Sequence, residues 1–140
     1  MKSYAGNVYI ELAGAWKDCS DYCYRMAGSE IEVHLERSPV AAPATPDSIL
    51  TRVEERLKLL GPLEQLTRAQ QQVGGRSAAA LSVRCKREGD KEASLMEVLV
   101  FKASDDEAVT VTAQAPASEQ AALAAAWRDI LVRTKLVEIR

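Results

Sequence analysis

Residues 76–116 have the sequence RSAAALSVRCKREGDKEASLMEVLVFKASDDEAVTVTAQAP. This stretch contains apolar runs rich in Val and Leu, separated by the turn signals Glu88-Gly89-Asp90 and Ser104-Asp105-Asp106. Such runs between turn residues are typical of an antiparallel meander. We therefore predict three consecutive strands, Ser77–Arg87, Glu92–Lys102 and Ala108–Ala115.

The middle strand of this meander is apolar on both sides. Alternate residues of a strand point to opposite faces, and here one face carries Met96, Val98 and Val100. The other face carries Leu95, Leu99 and Phe101, interrupted by Glu97. A sheet open to water on one side would alternate apolar and polar residues, so both faces must be covered. Either the N-terminal hairpin or the chain ends fold over the second face, or that face is a binding groove.

Two segments have the pattern of amphipathic helices. The first begins at Thr45-Pro46-Asp47, where a capping hydroxyl precedes a proline and an acid, and it extends to about Leu60 before Gly61-Pro62. Its apolar stripe consists of Ile49, Val53, Leu57 and Leu60. The second runs from Ser118 to about Arg133, and its stripe consists of Leu123, Trp127, Ile130 and Leu131.

The remaining segments complete an α+β domain that spans residues 1–140. Further strands are predicted at Asn7–Leu12, Ser20–Met26, Ile31–Arg37 and Leu63–Gln72. Because the strands do not alternate with helices, the sheet should be antiparallel. We expect a twisted sheet with both helices packed on one face.

Composition excludes several classes of function. The net charge is −2 without a basic stripe, so we expect no nucleic-acid binding. The apolar runs are too short for membrane insertion. No hydrophobic segment follows Met1-Lys2-Ser3-Tyr4, and this predicts a cytoplasmic protein with its three cysteines reduced.

The sequence offers little catalytic chemistry, and we expect neither an enzyme nor a cofactor. His34 is the only histidine and there is no Cys-x-x-Cys pair, so no metal site is predicted. Cys23 is expected to behave as a small apolar residue. Glu97, on an apolar face, could be an acid with a raised pKa, but no second acid or base accompanies it, which favours a pairing or binding role.

The order of elements resembles the DcrB-related proteins, and among them the Eag chaperones of type VI secretion. The residues that carry this resemblance are Leu12–Asp18 (LAGAWKD), the Gly74–Arg76 turn before an Ala-rich strand, and Thr112–Pro116 (TAQAP) before the last helix. The similarity in pattern extends over nearly the whole chain. It implies a PsbP-like fold, a homodimer and no catalysis.

The resemblance also implies a function. Eag chaperones hold the hydrophobic N-terminal segments of effector proteins in the cytoplasm until secretion, and an apolar sheet face could shield such a segment. The resemblance implies that the corresponding partner-binding positions here are Asp21, Cys23, His34, Leu95, Glu97 and Leu99. If the second face of the middle strand is open, Leu99→Gln should weaken partner binding and leave the fold largely intact, whereas Val98→Gln should destabilise the fold.

A second hypothesis remains open. An immunity protein, or another DcrB-like module, would recognise a folded partner. The polar face formed by Asp21, Glu32, His34 and Glu36 suits a basic folded protein better than an apolar helix.

Overall fold

The computed structural model describes the backbone of residues 2–5, 8–11, 16–20, 23–41 and 43–136, and the side chains of residues 23–41 and 43–132. The elements in chain order are β1 Lys2–Ala5, β2 Val8–Glu11, β3 Trp16–Ser20, β4 Cys23–Met26, β5 Glu32–Pro39, α1 Pro46–Leu60, β6 Leu63–Val73, β7 Arg76–Cys85, β8 Ser94–Ser104, β9 Glu107–Pro116, a 3-10 turn Ala117–Glu119, α2 Gln120–Arg133 and β10 Thr134–Leu136.

The strands of the described ranges form two antiparallel sheets. The large sheet has seven strands in the order β3-β4-β5-β9-β8-β7-β6, and the small sheet has three in the order β1-β2-β10. The predicted meander is β7-β8-β9 at the centre of the large sheet, and the N-terminal hairpin β4-β5 extends that sheet by pairing β5 with β9. The small sheet contacts α2 through β2.

Local sequence explains two of the boundaries. β6 and β7 are joined by Gly74-Gly75, whose φ angles of 56° and 81° are positive, as glycine allows in a tight hairpin turn. At the start of α1 the Thr45 side chain accepts a hydrogen bond from the Ser48 backbone amide, and the Ser48 hydroxyl accepts one from the Thr45 amide. This reciprocal capping satisfies two amides that the helix itself leaves unpaired.

One face of the large sheet packs against α2. Strand residues such as Leu99, Phe101 and Val111 are fully buried there and belong to the same core cluster as Leu123 and Trp127. Below, this side is called the α2 face.

The opposite face packs against α1. Val98, Val100 and Leu81 form a second core cluster with Ile49 and Leu50. α1 contacts β7 and β8. This side is called the α1 face.

The structure confirms the α+β antiparallel fold with two helices, and it corrects the predicted placement of those helices. They lie on opposite faces of the sheet, one on each side of β8, because Val98 and Val100 pack with α1 while Leu99 and Phe101 pack with α2. The apolar residues on both sides of β8 therefore correspond to two helices. No helix among the described residues is long and apolar enough to cross a membrane.

Candidate functional site

The strand register divides the predicted binding residues between the two faces. Cys23 is opposite His34, His34 is opposite Thr112, and Thr112 is opposite Val98. Directly opposed residues share a face, so Cys23 and His34 lie on the α1 face. Leu95, Glu97 and Leu99 lie on the α2 face, by alternation along β8. The predicted set does not form one site, and Asp21 lies outside the described residues.

At Leu99 the α2 face is not an open groove. Leu99 has no exposed surface and belongs to the core cluster that contains Leu123 of α2. Leu95 is half-buried against the same cluster. The prediction that this face is open was wrong at Leu99, which α2 covers. Leu95 and Glu97 line a smaller cavity of ≈ 210 Å³ beside α2.

Glu97 lies half-buried on this covered face. Ser82 lies on β7, directly opposite Glu97, and its hydroxyl donates a hydrogen bond of 2.5 Å to Oε2 of Glu97. Burial raises the pKa of Glu97 above its usual value, and the hydrogen bond from Ser82 opposes that shift in part. Its partner is a hydroxyl on the neighbouring strand, and a partner-binding role for Glu97 stays a prediction.

The raised pKa of Glu97 gives a testable pH dependence. Because the folded chain binds this proton more tightly than the unfolded chain, Glu97 destabilises the fold once pH rises above the folded pKa, and the penalty disappears as pH falls below the unfolded value. Glu97→Gln should therefore raise the melting temperature at pH 7, and the gain should shrink towards pH 4. Thermal unfolding at both pH values measures it. Glu55→Gln on the exposed side of α1 is the control, and an equal gain at both pH values for Glu97→Gln would contradict the assignment.

The described residues enclose a groove at the C-terminal end of α1, on the α1 face. Its volume is ≈ 560 Å³. The large apolar side chains of its lining come from the end of α1, the start of β6 and the adjoining strands: Leu57, Leu60, Leu63, Val83 and Met96. Leu60 is 56% exposed, so the apolar stripe predicted for this helix ends at the groove instead of in the core.

The rim of the groove is charged. Arg25 and Arg87 lie there with Glu30, Glu32 and Asp90. Arg25 forms an ion pair with Glu32. Its hydrogen bond holds the pKa of Glu32 below the usual value, with smaller contributions in the same direction from Gln114 and His34, while burial opposes them. The groove thus combines an apolar floor with a rim that is already charged at neutral pH.

A cluster of possible metal ligands lies close to this rim. Cys23 Sγ is 3.7 Å from Nε2 of His34, and Oε2 of Glu32 is 3.3 Å from the same nitrogen. Sequence reasoning missed the cluster because it sought a Cys-x-x-Cys pair. The available signal was the Glu32-x-His34 spacing on one strand face, with Cys23 brought opposite by the hairpin register.

Comparison with known proteins identifies the fold. No protein-family model matches the sequence, and no curated protein matches it. The crystal structure of LpqN, involved in cell envelope biogenesis of Mycobacterium tuberculosis, superimposes with a TM-score of 0.73 at 15% identity, covering 99% of this chain and 90% of LpqN. PA94 from Pseudomonas aeruginosa, described as a protein of unknown function and a candidate regulator, gives a TM-score of 0.60 at 16% identity, covering 91% of this chain and 90% of PA94.

These similarities establish a shared fold over nearly the whole length of each chain. At 15% and 16% identity they carry no residue roles from one protein to another. The resemblance to DcrB-related proteins and Eag chaperones stays a prediction, since no family model identifies the chain.

Proposed function

We propose that this chain is a non-enzymatic protein-binding module that holds a short hydrophobic segment of a partner protein in the groove at the end of α1. The observation that carries the proposal is a groove with an apolar floor, at which Leu60 is exposed to solvent. The other large apolar side chains of the floor are half-buried (Leu57, Leu63 and Met96) or buried (Val83). A cleft of this volume, lined by apolar side chains with a few charged groups around it, has the usual form of a binding site.

The size and rim of the groove suit a short amphipathic helix. A volume of ≈ 560 Å³ holds a few apolar side chains, as when an amphipathic helix places residues at i, i+3 and i+4 in a groove. The surrounding charges, Arg25 and Arg87 with Glu30 and Asp90, form a polar rim that would pair with the polar side of such a helix. A partner that covers Leu60 also removes apolar surface from water.

The more specific form of the proposal is a cytoplasmic, dimeric chaperone for the N-terminal hydrophobic segment of a type VI secretion effector. Its support is the resemblance to Eag chaperones in the order of elements. In this form of the proposal the segment binds at the end of α1, because Leu99 is buried beneath α2. A binding role connected with the cell envelope, to which the LpqN description refers, is the broader form.

Two leucines on α1 provide a matched test. Leu60 lines the groove and is 56% exposed, whereas its neighbour Leu59 is 86% exposed and lies outside the groove lining. Leu60→Glu should weaken binding of the segment by about tenfold or more, since a carboxylate would be desolvated in the complex. Leu59→Glu should leave the affinity unchanged. Both changes are at the surface, so each should alter the free energy of unfolding by roughly 0.5 kcal/mol or less.

The measurement is co-expression with the effector's N-terminal fragment, affinity pull-down, and light scattering to count copies of this chain per complex. If Leu60→Glu and Leu59→Glu lost binding equally, the binding site would not be specific to the groove. Binding by both variants with wild-type affinity would remove the groove from the proposal.

A second candidate is an immunity-type or other module that recognises a folded, basic partner. The observation that favours it is the polar composition of the α1 face beyond α1, where Glu36 is exposed and Glu32 and His34 are half-buried. Here Glu36→Lys should abolish binding and Leu60→Glu should not. The opposite pattern supports the hydrophobic groove.

A further inference from the structure

Three possible ligand atoms converge on the α1 face of the β4-β5 hairpin. Cys23 of β4 and His34 of β5 are register partners. Glu32 lies two residues before His34, so its side chain projects from the same face. The thiol sulfur, the imidazole Nε2 and a carboxylate oxygen all lie within 4.8 Å of one another. Two antiparallel strands therefore fix the positions of these three side chains.

We propose that Cys23, Glu32 and His34 bind a divalent transition-metal ion of the Zn²⁺ class, with the fourth coordination position open to solvent. Usual tetrahedral Zn²⁺ bond lengths place a sulfur and a nitrogen ligand about 3.6 Å apart, and a nitrogen and an oxygen ligand about 3.4 Å apart. The corresponding distances here are 3.7 Å between Cys23 and His34 and 3.3 Å between His34 and Glu32. Two edges of such a tetrahedron therefore have the expected length, and the third, between the Cys23 sulfur and the Glu32 carboxylate, is no longer than 4.8 Å.

Neighbouring side chains hold the carboxylate in position. Arg25 binds Oε1 of Glu32, which directs the second oxygen, Oε2, towards His34. The Gln114 side-chain amide donates to Oε2 at 3.3 Å. Partners that orient the ligands in this way raise metal affinity.

Two of the three ligand side chains are partly exposed, which leaves a route for the ion from solvent. Cys23 is 7% exposed and forms the inner end of the site, whereas the His34 side chain is 42% exposed and that of Glu32 is 21% exposed. An ion can approach from the solvent side and keep a water molecule as its fourth ligand.

The contact geometry argues against a cysteine nucleophile. In such a site the histidine uses one nitrogen for the thiol and the other for the orienting acid. Here both Cys23 and Glu32 contact Nε2 of His34, so the thiol and the acid share one ring nitrogen instead of using two. A metal ion accepts electron pairs from all three atoms at once.

The ligand types select the ion. A thiolate and an imidazole favour Zn²⁺, Co²⁺ and related ions over Mg²⁺ and Ca²⁺, which prefer oxygen ligands. The proposal does not depend on the proposed function, because metal binding is measured without a protein partner.

Tag-free full-length protein titrated with Co²⁺ and then with Zn²⁺ tests the site. We expect a thiolate-to-Co²⁺ charge-transfer band, visible bands of a four-coordinate ion, and loss of both when Zn²⁺ displaces Co²⁺. Cys23→Ser should abolish the charge-transfer band and weaken Zn²⁺ binding by about tenfold or more. Cys85→Ser is the matched control, because Cys85 is a free cysteine outside the cluster, and it should retain the band.

Two results would overturn the proposal. One is a wild-type Co²⁺ spectrum without a thiolate band, and the other is a thiolate band that survives Cys23→Ser. Circular dichroism checks that Cys23→Ser folds. If it does not, His34→Gln decides the question, because the more exposed His34 side chain tolerates replacement and its loss should shift the visible bands and lower the affinity.

Discussion

Leu99→Gln is expected to lower the free energy of unfolding by roughly 3–5 kcal/mol. The side chain is fully buried between the sheet and α2. The substitution removes apolar contacts and places an amide in an apolar core, where it has no hydrogen-bond partner. Urea unfolding followed by circular dichroism measures the loss. Val98→Gln, on the α1 face and also fully buried, should cost a similar amount.

This expectation reverses one made from the sequence, in which Leu99→Gln affects only partner binding. The control is Leu59→Gln, at a side chain that is 86% exposed, where a change of about 0.5 kcal/mol or less is expected. If Leu99→Gln resembled the Leu59 variant, α2 would not cover this face in solution. The open-groove hypothesis would then return.

The sequence was sufficient to predict the strands of the meander and the need to cover both of its faces. The alternation along β8, with Val98 and Val100 on one side and Leu99 and Phe101 on the other, agrees with the two core clusters. The bounds of α1 were also predictable, since Thr45 provides the capping side chain and Gly61-Pro62 follows the last turn. Such signals are local, and they depend on residues close together in the chain.

The placement of the helices was harder to predict because it depends on how the strands are ordered in space. β9 carries Val109 and Val111 on the α2 face, whereas its α1 face becomes polar at Thr110 and Thr112. The pairing of β5 with β9 adds Val33 and Leu35 to the α2 face. The α2 face is therefore apolar over more strands than the meander alone provides. The α1 face is then apolar mainly across β7 and β8, which α1 contacts.

The candidate sites depend on the same long-range information. Leu57 and Leu60 looked like core residues by their helical spacing, but α1 extends past the sheet contact and leaves Leu60 exposed at the groove. The proximity of Cys23 and His34 follows from the hairpin register. A one-residue change in that register would move one of the two side chains to the opposite face.

A double-mutant cycle provides the sharpest test of helices on opposite faces. Leu50→Ala in α1 and Leu123→Ala in α2 should each lower the free energy of unfolding by about 2–5 kcal/mol. The two side chains are buried in separate core clusters on either side of the sheet. Their effects should therefore add to within about 0.5 kcal/mol. Guanidinium unfolding of the four proteins completes the cycle.

The comparison pair for this cycle is Leu99→Ala with Leu123→Ala, because both residues belong to the α2-face cluster. Residues that share a core couple through the cavity that each substitution leaves, so this pair should depart from additivity by more than about 0.5 kcal/mol. If the double variants are too unstable to measure, Val53→Ala with Ile130→Val gives a milder cycle across the sheet. Strong coupling between Leu50 and Leu123 would mean that the helices share a face, and the sheet could then leave its other side open for a partner.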